Sequence, residues 1–223
     1  MTSATILGAE SWSSLGTGTS GVLLVHGFTG SPGSLRGIAE ACAAAGFHVE
    51  LPQLKGHGTV VADMVPTRWN DWSTDAEAAY QTLRQRCDNV VVLGLSMGGT
   101  LTLWLAARHP ELAGIVCINP AAQPLTDEMM AGLESLITDG VETIPAIGSD
   151  IADPTTHEIS YDATPVSALH SLLVDGVCNI AKEYSAIKIP MLLLNSVNDH
   201  VVDPKQSDYL VEHYGGPVER IML

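Results

Sequence analysis

The sequence predicts an α/β architecture, a mostly parallel sheet with helices on both faces, and three observations predict it. Short β-branched and leucine-rich runs alternate with longer helical stretches, the pattern of repeated βα units. The segment after residue 98, TLTLWLAARH, is apolar nearly all round until Pro110, as an interior helix is. At 223 residues the chain is long enough for one compact unit of this kind with a sizeable core.

The strand candidates are residues 21–26 (GVLLVH), 47–51 (FHVEL), 89–95 (NVVVLGL), 114–118 (GIVCI), 190–195 (PMLLLN) and 217–223 (PVERIML). The first helix opens at Ser31-Pro32, places Leu35, Ile38, Ala39 and Cys42 on one face and stops at Gly46. Another spans roughly residues 70–87, and KQSDYLVEHY forms one near the end of the chain. Residues 121–186 differ: they hold 11 of the 25 acidic residues but only Lys182 of the ten basic ones. This stretch is expected to be a small cap inserted above the sheet, with residues 1–120 and 187–223 forming the core. Within it Met129, Met130, Leu133, Leu136 and Ile137 recur at helical spacing, giving a helix that faces either a satellite core or a substrate.

Composition excludes several functions. A net charge of −15 repels phosphate backbones and anionic lipid surfaces, which removes nucleic-acid binding and polybasic membrane attachment. Hydrophobic content of 46% with only 16% charged residues removes a disordered chain. Cys42, Cys87, Cys117 and Cys178 form no C-x-x-C pair, so neither a metal cage nor a dense disulfide framework is expected, and a reducing compartment is. The opening MTSATILGAE has no basic and apolar leader, and no apolar run approaches the ~20 residues of a bilayer span. A cytoplasmic protein without stable membrane insertion is the expectation.

The chemistry centres on Gly94-Leu95-Ser96-Met97-Gly98, a G-x-S-x-G element between the strand VVVL and the buried helix. In that context the serine sits on a sharp turn that only small neighbours tolerate, which explains Gly94, Gly98 and Gly99. The turn lifts the Ser96 hydroxyl from the sheet edge and puts the Met97 N–H at a helix N-terminus, where it favours a developing oxyanion. A packing turn without chemistry is the alternative. His26-Gly27-Phe28-Thr29-Gly30 ends the first strand, and its loop offers the Phe28 N–H as a second oxyanion donor. His26 itself is read as a structural residue that orients the loop, and a phosphate loop is excluded by the absent lysine and Walker spacing. Asn198-Asp199-His200 follows the strand MLLLN, and Asp199 fits the Ser, Asp, His chain order as the carboxylate that orients an imidazolium. Asp203, before Pro204, is read as a helix cap. Trp69 and Trp72 serve either packing or a pocket wall.

Together HGFTG (26–30), LKGHG (54–58), RWNDW (68–72), GLSMGG (94–99) and NDHVV (198–202) resemble the small bacterial carboxylesterases and monoacylglycerol lipases of the α/β-hydrolase superfamily, from about residue 20 onward. The resemblance implies Ser96 as nucleophile, Asp199 as triad acid, the N–H groups of Phe28 and Met97 as oxyanion hole and a small cap after residue 120. It also implies small neutral ester substrates, neither cofactor nor metal, and leaves a homodimer open as the assembly. The fold class places the triad histidine on the loop after the final strand, and here PVERIML ends the sequence. His200 adjoins the acid, His213 falls in an outer helix, and His57, His109, His157 and His170 precede the acid, so surface or structural roles are expected for them. The sequence is therefore expected to stop before the catalytic histidine. A thioesterase, a peptidase, or a relative that binds an acyl ligand without catalysis are the alternatives.

Overall fold

Six apolar runs become six strands of one sheet, each within a residue or so of its predicted span. The computed structural model describes residues 3–146, 148, 151, 153 and 155–223. The elements begin with β1 (Trp12–Ser14), β2 (Ser20–Val25), α1 (Arg36–Ala44), β3 (His48–Leu51), α2 (Val61–Met64) and α3 (Trp69–Arg84). The centre of the chain supplies β4 (Asn89–Leu95), α4 (Met97–Arg108), β5 (Gly114–Ile118), α5 (Asp127–Thr138), β6 (Thr143–Pro145), β7 (Ala163–Pro165) and α6 (Val166–Ser171). It closes with β8 (Met191–Asn195), α7 (Lys205–His213) and β9 (Val218–Met222).

The main sheet runs β1-β3-β2-β4-β5-β8-β9, and every neighbouring pair is parallel except β1 with β3. β1 has no counterpart among the predicted strands. Its three residues pair at the sheet edge, Trp12 with Leu51 and Ser14 with Val49, and three residues are too few to show a period of two. β4 lies at the centre, so the turn after it stands in the middle of the sheet's carboxyl edge, where ligands of open α/β sheets bind.

Helix α4 lies against β4 and β5 and is buried without interruption from Met97 to Leu103, as its all-round apolar sequence requires. With Trp72, Tyr80 and Leu83 of α3 it covers Val92, Ile115 and Leu193 in the larger core. On the opposite face Leu35 and Ala39 cover Val22, Leu24, Val49, Leu51 and Leu93. Ile38, expected beside them, is 39% exposed: Leu35 and Ala39 already fill the narrow line of contact, and Ile38 lies at its rim. Beyond the reach of α1 this face is open, with a groove of about 400 Å³ lined by Val91, Val116, Leu192 and Val218.

The stretch 121–186 is not uniform. Helix α5 forms where the spacing of its apolar residues predicts, capped by the Thr126 hydroxyl on Met129 N–H, yet none of its residues is buried. β6 and β7 pair antiparallel as a small separate ribbon. From α6 onward, through a π-helical segment (Leu172–Cys178) and a 3-10 segment (Ala181–Ala186), Ala168, Leu172, Val177, Ile180 and Tyr184 join the larger core. Among the described residues no helix is long and apolar enough to cross a membrane.

Candidate active site

The site is built where β4 turns into α4. Ser96 has φ 53° and ψ −115°, a conformation that costs a non-glycine residue of order 1–3 kcal/mol and persists only where its surroundings hold it. They do so by close packing: a Cβ on Gly94 would collide with the Gly98 carbonyl, and one on Gly98 with the carbonyl of Val25 at the end of β2. A Cβ on Gly99 would lie 2.7 Å from that of Pro120. Ser96 N–H donates to Ile118 O at 2.9 Å, tying the turn to β5. Met97 is the first residue of α4, and an N–H at that position has no acceptor within the helix.

The loop after β2 lies beside this turn, since a Cβ on Gly27 would stand 3.4 Å from that of Ser96. His26 is fully buried; its Nε2 accepts from Leu54 N–H at 3.2 Å, which assigns the ring proton to Nδ1. Nδ1–H then donates to Gly27 O at 2.9 Å, and Gly30 N–H donates to the same oxygen at 3.3 Å. In a trans peptide the C=O and the following N–H point to opposite sides, so fixing Gly27 O also fixes the direction of Phe28 N–H.

Beneath this loop is an aromatic box. The His57 ring stands edge-on to His26 at 5.0 Å and to Trp72 at 5.8 Å, and Trp72 stands edge-on to Phe28 at 5.7 Å. Lys55 O accepts from Trp72 Nε1–H and from His57 Nδ1–H, both at 3.1 Å. Burial drives the His26 imidazole down to about 4 and His57 down to about 3, the latter pushed further by its proximity to His26. Both are therefore neutral near pH 7. Trp69 packs too, its N–H on Ser171 Oγ at 3.1 Å and its ring against Gly176. Both tryptophans thus serve packing, and the aromatic box is what LKGHG and RWNDW encode.

Asp199 stands in the loop after β8, two strands along from β4. Its Oδ1 accepts from Val201 N–H and Val202 N–H, each at 2.8 Å. The root of that loop is tied to β5, because Asn119, at φ 42°, accepts from Ser196 N–H at 2.8 Å. Asp203, expected as a helix cap, accepts from Lys205 N–H at 2.9 Å, but the N-cap position of α7 falls on Pro204. His48 bonds to Gly16 N–H and Gly18 O, His109 lies between Glu77 and Glu111, and His213 stacks on Tyr209 and reaches its carbonyl. The structure thus brings Ser96, Met97 and Phe28 together and sets Asp199 on the same sheet edge. His57, for which a surface or structural role is expected from the sequence, is buried and structural, and sequence reasoning missed one residue of this region, Tyr161, which carries no motif. Among the described residues no group of three or more His, Cys, Asp or Glu side chains is placed to hold a metal ion.

Comparison with known proteins identifies the family and the fold. Residues 19–222 match the family described as serine aminopeptidase, S33. A thermostable monoacylglycerol lipase of Bacillus sp. (strain H-257) is 43% identical over 198 residues, 87% of this chain and 76% of that protein. A carboxylesterase of Bacillus subtilis (strain 168) is 24% identical over 199 residues, 86% of this chain and 77% of its own. Among solved structures, a chain from work on the metagenome-derived lipolytic enzymes LipS and LipT superposes with a TM-score of 0.90 at 39% identity. It covers 99% of this chain and 89% of its own. By its sequence and its sheet, the chain belongs to the serine aminopeptidase S33 family of hydrolases and has the α/β-hydrolase fold.

Proposed function

We propose that the protein hydrolyses small neutral carboxylic esters, monoacylglycerols or simple short- to medium-chain esters, through an acyl-enzyme on Ser96. The observation that carries this reading is the strained Ser96 at the N-terminus of α4, facing a loop whose Phe28 N–H is held in direction by His26. Similarity to a monoacylglycerol lipase at 43% identity supports the substrate class.

In this reaction Ser96 Oγ bonds to the ester carbonyl carbon while its proton passes to an imidazole held by Asp199. The carbonyl oxygen takes up negative charge between the N–H groups of Phe28 and Met97. Collapse breaks the bond to the alcohol, which leaves with the proton from the imidazole. Water adds by the same route, releasing the acid and restoring Ser96, and the balance needs no cofactor. Asp199 suits its role because two backbone N–H groups fix its carboxylate. Residues 121–186 supply the cap, of which α5 and the β6–β7 ribbon form the part outside the core. Four unpaired cysteines fit a reducing compartment, and the cytoplasm is the location we assign.

A fluorophosphonate probe followed by intact mass tests the assignment. One adduct on Ser96 is expected, lost in Ser96→Ala together with at least about a thousandfold of esterase activity. Esters, thioesters and amides of one acyl chain complete the test, and turnover of the amide or thioester alone would overturn the ester reading.

A further inference from the structure

Residues 156–162, part of the stretch 121–186, lie across the loops after β2 and β3. Tyr161 is buried, and its backbone N–H donates to Thr29 O at 3.0 Å. Thr29 is itself at φ 62°, a strained position for a β-branched residue, and directly follows Phe28. The Tyr161 hydroxyl donates to Gly56 O at 2.8 Å and accepts from Thr59 N–H at 3.0 Å, with Thr59 Oγ1 at 3.3 Å. Nearby, Ser34 Oγ donates to Glu158 Oε1 at 2.5 Å, and that oxygen would lie 3.2 Å from a Cβ on Gly30. Ile159 packs against Gly8 and Gly33.

These contacts close a ring around Phe28. His26 joins the loop at 27–30 to Leu54; the turn from 54 to 59 reaches the Tyr161 hydroxyl; and Tyr161 N–H returns to Thr29. One side of the ring is the imidazole that fixes Gly27 O, and the other side is Tyr161. We propose that residues 156–162 are a strap that sets the oxyanion loop, with Tyr161 as a positioning residue that holds Phe28 N–H on line through Thr29 and Gly56. The cap then contributes to the chemical step and not only to the wall around the substrate. The kinetic part of this inference rests on the ester-hydrolase reading; the structural part does not.

The test compares the wild-type protein with Tyr161→Phe and Ser34→Ala by amide hydrogen exchange and by kinetics on a neutral p-nitrophenyl ester. Tyr161→Phe keeps the ring and the backbone bond but removes the hydroxyl bridge. Exchange at residues 27–30 is expected to rise about tenfold while β4 stays protected. The kcat falls about tenfold with KM within about twofold, because a displaced oxyanion donor acts on the transition state. Inhibition by a trifluoromethyl ketone, whose adduct bears the same oxyanion, weakens in step with kcat/KM. Ser34→Ala, which loosens the Glu158 anchor, gives a smaller change in the same direction and decides the matter if Tyr161→Phe also opens β4. Unchanged exchange at 27–30 in both variants overturns the strap, and a rise in KM alone reduces the segment to a substrate wall. If the wild-type protein leaves the ester untouched, the esterase reading fails, and exchange at 27–30 still decides whether the strap exists.

Discussion

A single methyl group at Gly98 decides whether the turn that carries Ser96 can close. The Cβ of an alanine there would collide with Val25 O, and backbone on both sides leaves it nowhere to go. Gly98→Ala is expected to lose about 3 kcal/mol of stability, the upper end of overpacking costs, and to abolish fluorophosphonate labelling. Gly132 in α5 is the control: a Cβ there meets nothing within 4 Å, so Gly132→Ala gains about 0.5–1 kcal/mol of helix propensity. Urea midpoints of the two variants check this, and equal midpoints would mean that β2 and α4 can move apart. The same residues explain what was legible at this scale. Ser96 could be read because a tight turn imposes glycines at fixed offsets, which leave a mark in the sequence. Tyr161 could not, because its three partner residues lie 102 to 132 positions away and are met mainly through backbone groups, which leave no pattern in the sequence.

At the scale of elements, strands were legible wherever an apolar run was long enough to show that both faces are covered, and α4 for the same reason. β1 failed that condition, and α5 shows the converse error: spacing revealed a helix but not whether anything covers it. Besides the apolar packing of Phe28 and Leu54, the loops after β2 and β3 are held by a neutral histidine pair, and this has a pH signature. Both imidazoles titrate near 6.5 when unfolded and well below that when folded, at about 4 for His26 and about 3 for His57. Between pH 6.5 and about 4 the unfolded chain therefore binds more protons, so stability is retained above pH 6.5 and falls as the pH drops through that window. The slope is about 1.4 kcal/mol per pH unit for each histidine. His57→Phe, which suits the aromatic box, is expected to remove one such share, seen as a flatter fall in urea stability from pH 7 to 5. An unchanged slope would show that His57 is solvated and protonated in the folded state.

At the scale of the whole molecule, charge is distributed as unevenly as hydrophobicity. Of the 25 acidic residues 11 fall in 121–186, where Lys182 alone opposes them, and on α5 Asp127, Glu128 and Glu134 are exposed. With residues 121–186 as the proposed cap, their surface of one sign repels like-charged molecules before they reach the site, and salt screens that repulsion. Consider a neutral ester and an anionic ester with the same acyl chain. The neutral one is expected to have the larger kcat/KM, and its advantage should shrink several-fold as ionic strength rises from about 10 mM to about 0.5 M, where the screening length drops from ~30 Å to a few ångströms. The change should appear in kcat/KM and leave kcat nearly constant, because it acts on approach rather than on the bound ester. A preference that does not move with salt would place discrimination at contacts inside the site, where screening does not reach, and the acidic cap would then have no part in choosing the substrate.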